Sequence, residues 1–121
     1  MPRYIKIPDP VTLLDLTTGE PIVKSVTDKT PEEPWGFARF VARFFFLDPK
    51  IGSGRDGGKT ISRLNVALST PKDGFYIIDE ADWEKLMKII NSPTDPERLW
   101  PPAMVVAQFE DMFQAIEKAT K

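Results

Sequence analysis

The fold is decided by the stretch from Trp35 to Leu47, whose sequence is Trp-Gly-Phe-Ala-Arg-Phe-Val-Ala-Arg-Phe-Phe-Phe-Leu. It holds five of the chain's eight phenylalanines. A helical turn of about 100° per residue places Arg39 and Arg43 on one narrow strip and leaves nearly all other sides apolar. A surface helix normally carries an apolar stripe of about 100° or somewhat more. This helix is apolar over more than half of its circumference, so it must be covered on most sides.

A chain of 121 residues has few other elements with which to cover such a helix. We therefore expect self-association or partner binding through its aromatic side chains, with the two arginines setting the polar register. Tryptophan and phenylalanine commonly dominate protein interfaces. The alternative is a central core helix that is hidden by the rest of the domain. The predicted interface comprises Trp35, Phe37, Arg39, Phe40, Arg43, Phe44, Phe45 and Phe46.

The composition excludes several kinds of chemistry. The chain has no cysteine and no histidine, which removes disulfides, thiolate nucleophiles, imidazole metal ligands and histidine-dependent triads. Its net charge of −2 gives no overall attraction to nucleic acid. No segment has the length of a signal peptide's apolar core or of a membrane span, so a cytoplasmic protein is expected. No cofactor and no metal are predicted.

The N-terminal third is predicted to be β-rich. Residues 1–10 contain three prolines and favour an extended arm or an edge strand. Two β-prone runs, 11–16 and 21–26, flank a short glycine-bearing turn and predict a hairpin. Thr30, Pro31 and Glu33 form the pattern of a capping box, which predicts a helix over 31–47 that ends at Asp48-Pro49.

The remainder of the chain is predicted to be mostly helical. Residues 49–58 hold four of the seven glycines and predict a flexible loop, followed by a helix over 59–69. Phe75–Ile78 is a β-prone run that is available as a third strand of the hairpin sheet. Helices are predicted over 80–91 and from Pro101 onward, with a loop over 92–100. The whole chain, 1–121, is thus predicted to be a single α+β domain with a hairpin packed against about four helices.

The sequence Gly58-Lys59-Thr60 resembles the end of a nucleotide-binding loop. That motif requires glycine at position 53, where this chain has Ser53, and a buried strand before the loop. A connector that begins a helix is the simpler interpretation. A weak anion site remains an alternative, because a helix N-terminus attracts phosphate. Its residues would be Arg55, Lys59, Thr60 and Arg63.

Four acidic residues, Asp79, Glu80, Asp82 and Glu84, cluster at a predicted helix start. Acidic side chains at the positive end of a helix are stabilising without any further role. The cluster lacks the spacing of a calcium loop. Nothing in the sequence marks any one carboxylate as a buried general acid or base, so an enzyme is not the favoured interpretation.

Two stretches near the ends of the chain carry a resemblance: Leu13-Leu14-Asp15-Leu16-Thr17-Thr18-Gly19-Glu20-Pro21-Ile22 and Pro101-Pro102-Ala103-Met104-Val105-Val106-Ala107-Gln108. Both are similar to stretches of small proteins encoded among the structural genes of tailed bacteriophages. Between them, Phe75 to Trp83 is similar to that group's short strand leading into an acidic helix start. The resemblance implies an assembly or binding role and carries over no catalytic residue.

Two functional hypotheses are favoured over a third, an enzyme that uses carboxylates. The first is a non-enzymatic phage-type protein that acts through protein–protein contacts, as a homo-oligomer or with another phage or host protein, in the host cytoplasm or within a virion. The second is an inhibitor of a host defence system that binds anions or the nucleic-acid machinery through residues 52–60 and the neighbouring basic residues. Polyanion affinity that falls steeply with salt would favour the second hypothesis.

Overall fold

The computed structural model describes residues 2–91, 101 and 103–121. Their architecture is α+β, as predicted, with two small antiparallel sheets and a set of helices. Two short 3-10 turns, Pro49–Ile51 and Ala107–Phe109, join helices. The strands are β1 (Pro2–Lys6), β2 (Leu14–Asp15), β3 (Glu20–Pro21) and β4 (Phe75–Asp79), and the helices are α1 (Phe37–Phe45), α2 (Gly54–Ser69), α3 (Glu80–Ile90), α4 (Ala103–Val106) and α5 (Glu110–Glu117).

The main sheet pairs β1 with β4 in an antiparallel register that places Tyr4 opposite Ile77. The prediction that Phe75–Ile78 joins the hairpin sheet is therefore wrong, because its partner is the N-terminal arm. Alternate residues point to opposite faces of a strand. Ile5 and Ile78 enter the core from one face, while Ile77 lies on the other.

The predicted hairpin is present but shorter than expected, with only Leu14–Asp15 and Glu20–Pro21 paired as strands. Its turn uses Gly19 at φ 75°, a conformation that favours glycine. The side chain of Gln108 anchors this hairpin to the C-terminal helices. Its Oε1 accepts from the Leu14 N–H at 2.8 Å, and its Nε2 donates to the Leu14 carbonyl at 2.9 Å.

Helix α1 begins at Phe37, six residues later than predicted for the 31–47 helix. The preceding segment makes β-bridges instead, a local one between Val23 and Pro31 and a long-range one between Val11 and Trp35. The two Val11–Trp35 backbone hydrogen bonds are 2.9 and 2.7 Å long. Because these contacts hold the segment extended, the predicted capping box does not form. Long-range pairing has overridden a local helix signal.

Residues 49–58 contain regular structure, so the prediction of a flexible loop over this range is wrong. The segment contains the 3-10 turn Pro49–Ile51, and α2 already begins at Gly54. A Cβ on Gly57 would lie 2.5 Å from the Gly52 carbonyl oxygen. The glycine at this position therefore permits the close contact that folds the 3-10 turn against the start of α2.

The two helices that the sequence predicts for the C-terminal part differ in how closely the structure matches them. Helix α3 spans Glu80–Ile90, which confirms the prediction to within one residue. The predicted last helix is divided into α4, a 3-10 turn and α5. The predicted loop over 92–100 lies outside the described residues.

Candidate interaction surface

The aromatic side chains predicted to form an interface are largely in the core of the chain itself. Phe37 is 3% exposed, Phe40 0%, Phe44 1% and Phe45 0%, so this part of the site prediction is wrong. Phe40 and Phe44 pack on Phe109, with ring centroids 5.4 and 5.1 Å away. The 3-10 turn before α5 therefore covers this side of α1.

The irregular chain that precedes α1 packs on the same aromatic cluster, since the Trp35 and Phe109 ring centroids are 5.4 Å apart. Trp35 and Phe46 are half-buried and pack against the core. Arg39 stacks over the Trp35 ring at 3.8 Å and forms an ion pair with Glu32 at 3.5 Å. Arg43 is half-buried. Arg39 thus belongs to contacts within the subunit, and α1 presents no broad apolar face to solvent.

The predicted anion site is divided by a polar network that links α2 to α3. Thr60 is completely buried, so its proposed role in binding an anion is wrong. Its hydroxyl donates to the Asp56 carbonyl and accepts from Arg63 and Lys85, the last at 2.7 Å. The Arg63 guanidinium also donates two hydrogen bonds, of 3.0 and 2.9 Å, to the carboxylate of the buried Asp82. The hydrogen bonds and charge of Asp82 raise the pKa of Arg63 above its ordinary value.

The rest of the predicted anion site remains accessible. Arg55 and Lys59 lie on the exposed side of α2, one helical turn apart, and no contact described for residues 2–91, 101 and 103–121 pairs either side chain. With Gly58, Ser62 and Arg63 they line a shallow depression on the surface. This is a cationic strip rather than an enclosed phosphate-binding loop.

An unexpected apolar surface lies on the main sheet. We define the outer sheet face as the residues of β1 and β4 that point away from the core: Pro2, Tyr4, Lys6, Phe75, Ile77 and Asp79. A solvated face of an antiparallel sheet is usually polar. Here Phe75 is 36% and Ile77 37% exposed, and the rings of Tyr4 and Phe75 meet edge to face at 6.4 Å. Three apolar side chains thus stand together at the centre of this face.

Strand β4 also has an open edge at Ile77. The Ile7 N–H donates to the Gly74 carbonyl, and hydrogen-bonded pairs alternate along an antiparallel ladder. The N–H and C=O of Ile77 must therefore point away from β1. On that side they have no hydrogen-bond partner within the described part of the chain. An unpaired strand edge is a template for another strand.

A groove of about 460 Å³ runs along this open edge, between β4 and α2. We call it the edge groove. Val66 and Ala67 of α2 face Ile77 across it, and Asp79 lies at one end. Val66 is 65% exposed, a large exposure for a valine beside another exposed apolar residue. The edge groove therefore combines apolar walls with unpaired backbone groups.

A second groove, of about 580 Å³, lies between the end of β1 and α5. It is lined by Tyr4, Ile7, Phe75 and Ala115 among others, and its rim carries both acidic and basic side chains. Tyr4 and Phe75 are shared with the outer sheet face, so the apolar surface continues from this groove to the edge groove.

The contacts that hold strand β1 in place were not predicted from the sequence. The Arg3 guanidinium donates to Glu80 Oε1 from Nη2 at 2.8 Å and stacks over the Trp83 ring at 3.8 Å. The hydrogen bond from Arg3 lowers the pKa of Glu80 below its ordinary value. Tyr4 and Thr120 exchange two backbone hydrogen bonds on the free side of β1. One edge of the sheet is therefore closed, whereas the β4 edge is open.

Comparison with protein-family models, curated proteins and solved structures finds no match for this chain. In the ranges 2–91, 101 and 103–121, no group of three or more acidic side chains is placed to hold a metal ion. None of the helices among these residues is both long enough and apolar enough to cross a bilayer.

Proposed function

We propose that this chain is a non-enzymatic protein that acts through protein–protein contacts made by the outer sheet face. The observation that carries the proposal is the exposure of Phe75 and Ile77 beside an open strand edge. Contiguous exposed apolar patches on soluble proteins commonly mark interaction sites. The same location offers backbone hydrogen bonds, which is the combination used in β-strand addition.

The proposed surface replaces the aromatic helix as the contact site. The phenylalanines of α1 stabilise the fold from within, so their contribution to association is indirect: they hold β4 in place through contacts such as the stacking of Phe37 on Tyr76 at 5.2 Å. Phage particle assembly is the setting that we propose for these contacts, supported by the likeness of residues 13–22 and 101–108 to phage structural-gene products.

Site-specific photo-crosslinking tests the proposed surface. A benzophenone amino acid placed at Phe75 should give discrete adducts in the cells that naturally contain the protein. The matched control places the same group at Val26, which is 86% exposed but lies in the N-terminal irregular segment. Adducts from Phe75 that are absent from Val26 are expected. No adducts from Phe75, or the same adducts from both positions, would contradict the proposal.

A second candidate function, the binding of a polyanion such as nucleic acid, is supported by the cationic strip on α2. Arg55 and Lys59 are exposed on one side of the helix. Binding to single-stranded DNA that weakens steeply with salt, and that is lost in an Arg55→Glu/Lys59→Glu variant, is the expected result for this candidate. Absence of binding at low salt would eliminate it.

A further inference from the structure

We infer that the second groove, between the end of β1 and α5, binds an extended peptide segment of a partner protein. This segment carries a basic side chain at one end, an acidic side chain at the other and apolar side chains between them. The inference rests on the proposed function and specifies the chemistry of the partner. Tyr4 and Phe75 belong to both the groove and the outer sheet face, so the segment lies on the surface already proposed for contact.

Two contacts fix the direction in which the walls of this groove run. Tyr4 and Thr120 exchange two backbone hydrogen bonds as an antiparallel bridge, and we call this the bridge end. The Gln108 side chain forms hydrogen bonds of 2.8 and 2.9 Å with the backbone of Leu14, and we call this the hairpin end. The C-terminal segment that contains α5 therefore runs antiparallel to the chain that leads from β1 to the hairpin.

This direction separates the charges of the groove by sign. Lys6 and Lys118 lie toward the bridge end, whereas Asp9 and Asp111 lie toward the hairpin end. All four side chains are exposed. None of the four forms an ion pair within the part of the chain that the structure describes. The groove thus has a positive end and a negative end, and the charges at both ends are available to a partner.

The distance between the two ends suits a short extended peptide. Asp111 and Lys118 are seven positions apart, which along a helix is about 10 Å. An extended chain covers about 10 Å in three residues. Between the charged ends, the lining includes the apolar side chains of Ile7, Pro8 and Ala115. A basic residue, two apolar residues and an acidic residue in succession therefore match both ends and cover the centre.

The same separation of charge disfavours other occupants. Nucleic acid carries a negative charge at every repeat, so the acidic hairpin end would repel it. A single free amino acid is too short to place its two charges about 10 Å apart. Complementary charges also fix the orientation of a bound segment, which is the role that they commonly have in protein interfaces.

Four blocked tetrapeptides test the inference by NMR titration of the purified chain. Two are dipolar, acetyl-Arg-Leu-Val-Glu-amide and acetyl-Glu-Val-Leu-Arg-amide, and cover both chain directions. In the other two, the charged residues are both Glu or both Arg. The wild-type protein should bind at least one dipolar peptide about fivefold more tightly than either single-sign peptide, because exposed ion pairs contribute only a few-fold each to affinity. The Ala115 amide signal should shift on binding.

Charge reversal at each end tests the sign assigned to it. Lys6→Glu/Lys118→Glu should transfer the preference to the peptide with two Arg residues. Asp9→Lys/Asp111→Lys should transfer it to the peptide with two Glu residues. Lys72→Glu is the matched control, because Lys72 is exposed and lies outside the groove, and it should leave the wild-type preference unchanged. Circular dichroism would confirm that the variants fold.

Three results would overturn the inference. These are no binding of either dipolar peptide, equal binding of all four peptides, and a preference that both charge reversals leave unchanged. A wild-type preference for a single-sign peptide would also overturn it, because one end of the groove would then act alone. If no peptide binds and Phe75 still crosslinks to another protein in cells, the proposed function stands and only this occupant is excluded.

Discussion

Adding one methyl group at either of two neighbouring glycines in α2 should change stability in opposite directions. At Gly58 a new Cβ meets nothing within 4 Å. Gly58→Ala should therefore stabilise the protein by about 0.5–1 kcal/mol, the usual gain from replacing glycine inside a helix. At Gly57 a new Cβ would lie 2.5 Å from the oxygen and 2.6 Å from the carbon of the Gly52 carbonyl.

That overlap involves backbone and is difficult to relieve. Gly52 is held at φ 122°, and its N–H donates to the Pro49 carbonyl. Overpacking costs about 1–3 kcal/mol, against which the helix gain of about 0.5–1 kcal/mol must be set. Gly57→Ala should thus be destabilised by up to about 2.5 kcal/mol, with about 1 kcal/mol as the central expectation.

Urea unfolding followed by tryptophan fluorescence would measure both variants. With a slope of about 2 kcal/mol per molar urea, the two midpoints should differ by about 1 M, with Gly58→Ala the higher. Equal midpoints would refute the packing of Gly57 against Gly52. A loss of stability in Gly58→Ala would refute the helix that begins at Gly54.

Two further predictions concern the core and the contact between Arg3 and Glu80. Phe40→Ala should lower the free energy of unfolding by about 3–5 kcal/mol, because it removes a fully buried ring. Leu47→Ala, at a position that is 61% exposed, should change it by no more than about 0.5 kcal/mol. Equal losses of the two variants in urea unfolding would contradict a core role for α1. The hydrogen bond from Arg3 lowers the pKa of Glu80, so this contact stabilises the fold at pH values above the ordinary glutamate pKa of about 4.3. This stabilisation is lost as the pH falls through the lowered pKa of Glu80. Glu80→Gln should therefore lower the melting temperature at pH 7, with a difference that shrinks on acidification, and a difference independent of pH would contradict the ion pair.

Elements with strong local signals were predictable from the sequence. Helix α3 has acidic residues in its first turn and an apolar stripe, and its predicted start at residue 80 is the observed one. The β-prone run Phe75–Ile78 is a strand, as predicted. Its partner was not predictable, because residues 2–6 have no local feature that selects β4 over the hairpin. Pairing over such a sequence distance depends on the packing of the whole domain.

The main error about the site has a physical origin as well. The sequence correctly indicates that α1 needs cover on most sides, but it does not show that irregular segments supply much of that cover. Much of that cover comes from the extended segment around Trp35 and from Phe109 in a 3-10 turn. The outer sheet face could not be predicted, because alternation alone does not tell which face of a strand is buried. The exposed Ile77 becomes visible only when the register of β1 and β4 is known.

The most direct test of the account is hydrogen exchange of the Ile77 amide, measured by NMR and compared with that of the Ile5 amide. In the chain alone the Ile77 N–H points to the open edge and lacks a described partner, so it should exchange rapidly. The account predicts that the Ile5 amide, buried within the sheet, is protected under the same conditions. Protection of Ile77 equal to that of Ile5 would contradict an open β4 edge.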